Sequence, residues 1–170
     1  MLTQQKDDGI VVMLTANKRR IHRDLAIVSA VMRRVRGANT QPEIKLRSAL
    51  HRLGFRFRLS TGRLPGRPDF VFVRQRVAVF VDGDFWHGRQ WQNRGFDSLE
   101  SQLAGIRNSE YWIDKIERNI ARDRASNRRL RAAGWTVVRI WESELKKTPE
   151  RCIGRVVSKL ERTHGNRESR

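Results

Sequence analysis

Residues 68–83 read PDFVFVRQRVAVFVDG, two apolar runs on either side of Arg74-Gln75-Arg76. Valine and phenylalanine dominate both runs, Asp69–Val73 and Val77–Asp82, and the polar break is short enough for a hairpin. One aspartate opens the first strand and another closes the second. With a two-residue loop at Gln75-Arg76, the ladder runs from Arg74 opposite Val77 to Asp69 opposite Asp82. Directly opposed side chains lie ~4.5–5.5 Å apart at Cβ, and like charges there destabilise a sheet. Two carboxylates held so close invite a divalent cation with oxygen ligands, Mg²⁺ first. The other reading is a pair of capping aspartates splayed into solvent, which a one-residue slip of register would leave.

Upstream of the hairpin, residues 22–36 (HRDLAIVSAVMRRVR) have the spacing of a basic amphipathic helix stopped by Gly37. Thr40-Gln41-Pro42-Glu43 is a capping box: the hydroxyl can accept an amide, Glu43 can reach back, and proline suits the first turn. Leu46, Ala49, Leu50 and Leu53 follow at helical spacing, and Gly54 closes the helix. The period then switches to two. Phe55, Phe57 and Leu59 alternate with Arg56 and Arg58, the pattern of a half-buried strand.

Downstream, residues 83–108 carry four glycines among aromatics and arginines and read as a loop. A long helix is expected from about Glu110 to Ala133, ending at Gly134. Trp135–Trp141 (WTVVRIW) reads as a strand, and Thr148-Pro149-Glu150 opens a last helix with Ile153, Val156, Val157 and Leu160 on one face. The expected fold is therefore α/β: helix, three strands, helix, strand, with further terminal helices flanking a mixed sheet. Residues 1–20 show no clear period and are expected as a loose extension, 21–162 as one domain, and 163–170 as a basic tail.

The 170 residues suffice for one domain of ordinary size and fall short of two well-buried ones. Lysine and arginine number 36 against 18 acidic residues, a net charge of +18, so the expected partner is a polyanion. Nucleic acid leads, ahead of an anionic membrane surface or an acidic protein. A hydrophobic share of 38% fills a core and excludes a wholly disordered basic chain. A lone cysteine, Cys152, excludes an intrachain disulfide framework and any multi-cysteine metal site. The apolar run Ile10–Leu14 is too short for a signal peptide and follows Asp7 and Asp8. No run approaches the ~20 apolar residues that span a bilayer. A reducing, cytoplasmic setting is the expectation, with no membrane partner.

Several residues stand where packing alone does not want them. Asp123 lies on the helical stripe of Ile116 and Ile120, and an inward carboxylate must be paired or bound. The plain alternative is a salt bridge to a neighbouring arginine. His87, in DGDFWHG just past the second hairpin strand, is a candidate general base beside the carboxylates. His22, His51 and His164 sit on basic helices or in the tail and suggest nothing specific. Phe85 and Trp86 cannot both face one core from adjacent loop positions, and with arginines nearby they suit stacking on bases. Trp112, on spacing alone, reads as core, and Glu43 as the capping-box acid.

At LPGRPDFVF, VFVDGDFWHG, KIERNIARD and GWTVVRIWE the chain resembles the very-short-patch repair endonucleases, the Vsr family, over about Val31 to Leu145. The order of elements is similar to the PD-(D/E)xK restriction-endonuclease core to which that family belongs. The resemblance implies a Mg²⁺-dependent enzyme that nicks one strand at T·G mismatches left by deaminated 5-methylcytosine, 5′ of the thymine. It implies Asp69 as the metal-bridging aspartate, His87 as the catalytic histidine, Asp123 as the acid supporting it, and Glu43 as the helix glutamate that orders a water at the metal. Phe85, Trp86 and Trp112 match aromatics that wedge into the major groove beside the mismatch, and Met32 a methionine entering from the minor groove. Trp112 thereby moves from core to wedge.

The chain departs from the family at two places. Asp82 stands where a second active-site histidine is common, and is expected to help Asp69 hold one or two Mg²⁺. The set Glu43, Asp69, Asp82, His87, Asp123 also resembles EDxHD homing endonucleases, which vary at the middle position. The positions matching the family's structural zinc ligands are Asp84, Arg89, Trp91 and Ser143, of which Asp84 alone would ligate well, so no structural zinc is expected. An Asp84–Arg89 ion pair and a packed Trp91 are expected in its place. The expectation is thus a monomeric, nucleoid-associated mismatch endonuclease. The alternatives are a restriction or homing-type enzyme on paired DNA, and a non-catalytic DNA-binding module.

Overall fold

The computed structural model describes residues 40–59 and 62–168, with side chains up to residue 162. The expected extension 1–20, the helix over 22–36 and Met32 lie outside the described residues. Among the described residues ten elements follow in order: α1 (Gln41–Arg52), β1 (Arg58–Leu59), β2 (Phe70–Phe72), β3 (Val77–Asp82), α2 (Gln90–Asn93), α3 (Leu99–Leu103), α4 (Ser109–Ala132), β4 (Thr136–Trp141), α5 (Glu142–Lys147) and α6 (Pro149–Glu168). The sheet order is β1-β2-β3-β4, antiparallel except for the parallel β3–β4 pair. A parallel pair needs a crossover of a dozen or more residues, and α4 supplies it. The result is an α/β domain with a mixed sheet flanked by helices, in keeping with a restriction-endonuclease-like core.

Strand alternation sorts the side chains of β3 and β4 onto two faces. Val77, Val79, Val138 and Ile140 join Phe70 and Phe72, Leu46 and Leu50 of α1, and Cys152, Val156 and Leu160 of α6 in one core. Ala78, Phe80, Val71 and Val137 face the other way, onto Leu130 of α4, with Leu64 and Trp135 packed alongside. α1 begins as its sequence requires: the Thr40 hydroxyl accepts from Glu43 N and donates to Glu43 Oε1 at 2.8 Å. Among the described residues no helix is long and apolar enough to cross a membrane.

Four expectations are corrected. The strand expected from Phe55 shrinks to Arg58–Leu59: Phe55 and Phe57 pack against the core, but Leu59 is 51% exposed. Phe72 pairs with Val77 and Phe70 with Val79, so the hairpin loop is four residues, Val73–Arg76, rather than two. Arg76 takes a left-handed φ of 54°, the kind of conformation longer hairpin loops use to match strand twist. Asp69 consequently does not stand opposite Asp82. Its N–H donates to Val79 O at 2.9 Å and its Oδ2 accepts from Val81 N at 2.7 Å. Finally, the expected loop over 83–108 contains α2 and α3, and α5 precedes the last helix.

Candidate active site

β3 ends in Asp82, a carboxylate only 2% exposed on the α4 face of the sheet. Beyond it the chain turns tightly: His87 N donates to Gly83 O, and the amides of Arg89 and Gln90 both donate to Asp84 O. Gly88 has φ +71°, and a Cβ there would meet Ile120 Cδ1 at 2.5 Å. The left-handed φ favours glycine here, and any Cβ would also have to push aside the tip of Ile120 where the loop lies on α4. The preceding PGRPD segment is seated in the same way, since a Cβ on Gly66 would meet Ser126 Cβ at 2.7 Å. α4 thus carries one stripe, Ile116, Asn119, Ile120, Asp123, Ser126, Asn127 and Leu130, whose polar members serve the loop and the sheet.

That packing brings His87 to Asp123, one turn beyond Ile120. His87 Nδ1 is hydrogen-bonded to Asp123 Oδ2 and lies 3.7 Å from Asp82 Oδ1. Burial alone would raise the Asp123 pKa, but His87 and Arg139 outweigh it and hold the carboxyl below its usual range. An ionised carboxylate only accepts, so Nδ1 carries the hydrogen and Nε2 is the nitrogen left to take a proton.

Sequence reasoning missed Arg139. It lies in the centre of β4, with its guanidinium 4.7 Å from the Phe80 ring centroid. Nε and Nη2 donate to the two oxygens of Asp82, each at 2.6 Å; Nη2 lies 3.1 Å from Asp123 Oδ2, and Nη1 reaches Asn127 Oδ1 at 3.3 Å. The signal was present in WTVVRIW: a charge inside an otherwise apolar central strand needs partners. Both readings of Asp123 therefore hold, the histidine partner and the arginine salt bridge.

Among the described residues Asp69 makes no bond to that ion pair, although the charges of Asp82 and Arg139 both reach it, Arg139 opposing the rise of its pKa. Burial is the main cause that pushes its pKa to about 6, the Val81 amide opposes the rise, and Glu43 and Asp82 add to it. Glu43 is 5% exposed on the first turn of α1. A half-buried carboxyl among other carboxylates gains from a cation. No group of three or more His, Cys, Asp or Glu side chains arranged to hold a metal occurs among the described residues. Mg²⁺ does not need one, because it binds through one or two carboxylates and keeps waters or substrate phosphates for the rest. The residues around Asp69 fit Mg²⁺ on that ground, whereas both oxygens of Asp82 already accept from Arg139.

Phe85, Trp86 and Trp112 meet in one half-buried cluster, with ring centroids 5.3 to 6.1 Å apart. Trp112 is therefore not in the core. Tyr111, 51% exposed, extends the cluster, and Lys115 Nζ lies 5.3 Å from the Trp86 and Trp112 centroids. Neither Tyr111 nor Lys115 was expected from sequence, although a tyrosine beside Trp112 and a lysine one turn on share its end of the helix.

The loop is tied down differently from expectation. Arg89 pairs with Glu144 at 3.0 Å and lies 5.0 Å from the Trp141 ring centroid; it does not pair with Asp84. Asp84 accepts instead from Ser143 N at 2.9 Å, Ser143 Oγ at 2.6 Å and Asn93 Nδ2 at 2.7 Å. Three donors satisfy the carboxylate more fully than one exposed cation would. Trp91 is half-buried on α2. Arg155 also reaches Glu144, at 2.9 Å. The side chains matching zinc ligands thus supply one carboxylate and one hydroxyl, bonded to each other, a set that does not fit zinc.

The sequence model of the DNA mismatch endonuclease Vsr matches residues 22–93. The type II nicking enzyme V.NmeDIP of Neisseria meningitidis serogroup C is 44% identical over 117 residues, which cover 69% of this chain and 74% of that one. The chain belongs to the Vsr DNA mismatch endonuclease family. The type II nicking enzyme V.HpaIIP of Haemophilus parainfluenzae is 39% identical over 112 residues, 66% of this chain and 74% of its own. The DNA mismatch endonuclease Vsr of Escherichia coli is 36% identical over 123 residues, 72% of this chain and 74% of its own. As a Vsr-family protein, this chain is a DNA endonuclease.

Proposed function

We propose that this Vsr-family endonuclease uses Mg²⁺ to nick one strand at a T·G mismatch, on the 5′ side of the thymine. The observation that carries the reading is the His87–Asp123 hydrogen bond at the end of β3, beside a half-buried Asp69 whose pKa rises to about 6. His87 Nε2 takes the proton of the attacking water. Asp123 holds the ring by Nδ1 and stabilises the charge that develops on it. Asp69, with Glu43 ordering water nearby, would hold the metal. When bound, Mg²⁺ polarises the scissile phosphate and stabilises the leaving oxygen. In this reading the protein acts as a monomer, one copy cutting one strand.

Phe85, Trp86 and Trp112 would enter the duplex beside the mismatch, where unstacking costs least. The basic surface supplies phosphate contacts that position the duplex without reading its sequence. Hydrogen bonds to Asp84 from Ser143 and Asn93, and the Arg89–Glu144 pair, hold the catalytic loop in place of zinc. The test is to incubate the protein with end-labelled duplexes carrying each mismatch or none, with Mg²⁺ or with EDTA, and to map the nicks. A single nick 5′ of the mismatched thymine, present only with Mg²⁺, is expected. Equal cutting of fully paired DNA would replace the mismatch reading by a restriction or homing-type one, and binding without any cutting would overturn the proposed chemistry.

A further inference from the structure

Asp82 and Arg139 form a buried ion pair for which the chemistry so far has no use. Their side chains are 3% and 18% exposed, and the guanidinium meets both carboxylate oxygens at 2.6 Å. Such a pair is costly to desolvate and is weak support for a fold by itself. What makes it informative is its third contact. The same Nη2 that holds Asp82 Oδ1 lies 3.1 Å from Asp123 Oδ2, the very atom bonded to His87 Nδ1.

We propose that Arg139 is a positioning residue, and that Asp82 acts through it to aim the His87–Asp123 pair rather than as a ligand of the metal. The inference rests on the reading of His87 as the base. Asp82 comes no nearer than 3.7 Å to His87 Nδ1, whereas it meets Arg139 at 2.6 Å twice, so its closer contacts fix a planar fork. Asp82 anchors two of its nitrogens, Asn127 takes the third, and the Phe80 ring lies against its face. With the fork immobile, Asp123 Oδ2 accepts from two fixed directions, one of them the imidazole. Asp69, bonded to the Val81 amide, has no arginine bonded to it among the described residues, whereas both oxygens of Asp82 accept from Arg139.

A double variant, Asp82→Asn/Arg139→Met, removes both charges together and so leaves no buried charge unpaired. Its fold is followed by circular dichroism. Single-turnover nicking, DNA affinity and the Mg²⁺ concentration for half-maximal rate are then compared with wild type. In metal-free protein the His87 Nδ1–H proton is observed by NMR as a readout independent of activity. The expected result is nicking ~30- to 100-fold slower, at or just below the lower end of the ~10²–10⁴-fold range for outright loss of a general base, because the base is disturbed rather than removed. DNA affinity and Mg²⁺ half-saturation should stay within about threefold, and the Nδ1–H resonance should weaken by faster exchange with water. Near wild-type nicking overturns the inference, and so does a Mg²⁺ half-saturation raised about tenfold or more, because that result makes Asp82 a metal ligand. If the double variant does not fold, Arg139→Lys decides: a lysine cannot span both carboxylates, so slower nicking at unchanged Mg²⁺ half-saturation is expected, and an unchanged rate overturns the inference. Wild-type protein that fails to nick at all would instead sink the proposed function, a different outcome from these.

Discussion

The two faces of the central strands are built from the same backbone and spend it differently. Toward α1 and α6, β3 and β4 present Val77, Val79, Val138 and Ile140, all within 4% exposure, in one apolar cluster. Toward α4, alternate positions of the same strands run from Ala78 and Phe80 to Asp82, and from Val137 to Arg139. The first face is close-packed and needs nothing but volume. The second begins as core near Leu130 and turns polar toward the strand ends, where Asp82, Arg139, Asp123 and His87 must satisfy one another. A sheet can thus keep one face for stability and give the end of the other to chemistry. Mutations on the two faces should accordingly separate folding from nicking.

The largest expected effect is on the polar face. His87→Ala should slow single-turnover nicking by about 10²–10⁴-fold, the range for losing a general base, with little change in melting temperature because the ring sits at the rim. A rate within a fewfold of wild type would remove His87 from the chemistry. On the apolar face, Phe70→Ala should lower unfolding free energy by about 3–5 kcal/mol in urea titrations, while the nicking rate per folded molecule stays the same. A change in that rate without loss of stability would blur the division between faces.

The aromatic cluster lies off the sheet and should affect neither quantity much. Trp86→Ala should weaken binding to mismatched duplex by ~1–3 kcal/mol, the worth of one stacked base, and weaken binding to paired duplex less. Equal losses on both would make the cluster ordinary packing. Smallest of all, Arg89→Ala should cost only ~0–1 kcal/mol of stability, since the Arg89–Glu144 pair is partly exposed and screened. A loss of several kcal/mol would show that the pair, rather than the hydrogen bonds of Asp84, holds the loop.

The same contrast explains how far the sequence could be read. An apolar run bounded by turn residues and a long helical stripe are both legible: Val77–Asp82 was expected with its observed ends, and α4 to within about one residue. The Asp123 position followed from the stripe of Ile116 and Ile120. The short helices α2, α3 and α5 have four to six residues each, too few to display a period. The hairpin register turned on Arg76 adopting a left-handed φ, which arginine rarely does and composition does not announce. Arg139 was visible as an oddity, but its partners lie 57 and 16 residues away along the chain, and only folding brings them together. The metal-binding reading of Asp69 and Asp82, the general-base reading of His87 and the stacking reading of Phe85 and Trp86 came from the residues; the roles of Glu43, Trp112 and Met32 came from resemblance.

The polar end of the sheet gives up stability for chemistry, and Asp69, which accepts from Val81 N next to Asp82, is where that cost can be measured. A carboxyl whose folded pKa rises from 3.8 to about 6 destabilises the folded state once it ionises: stability is full below about pH 4 and falls as pH rises through 6. Asp123, held low, has the opposite sign and loses its contribution only in acid. Asp69→Asn mimics the protonated form, so in EDTA it should be more stable than wild type by about 2–3 kcal/mol near pH 7.5, with the gain vanishing toward about pH 4. The same protein supplied with Mg²⁺ should bind a T·G duplex and leave it uncut. A variant that is no more stable than wild type at neutral pH, or that nicks at a comparable rate, would contradict the account.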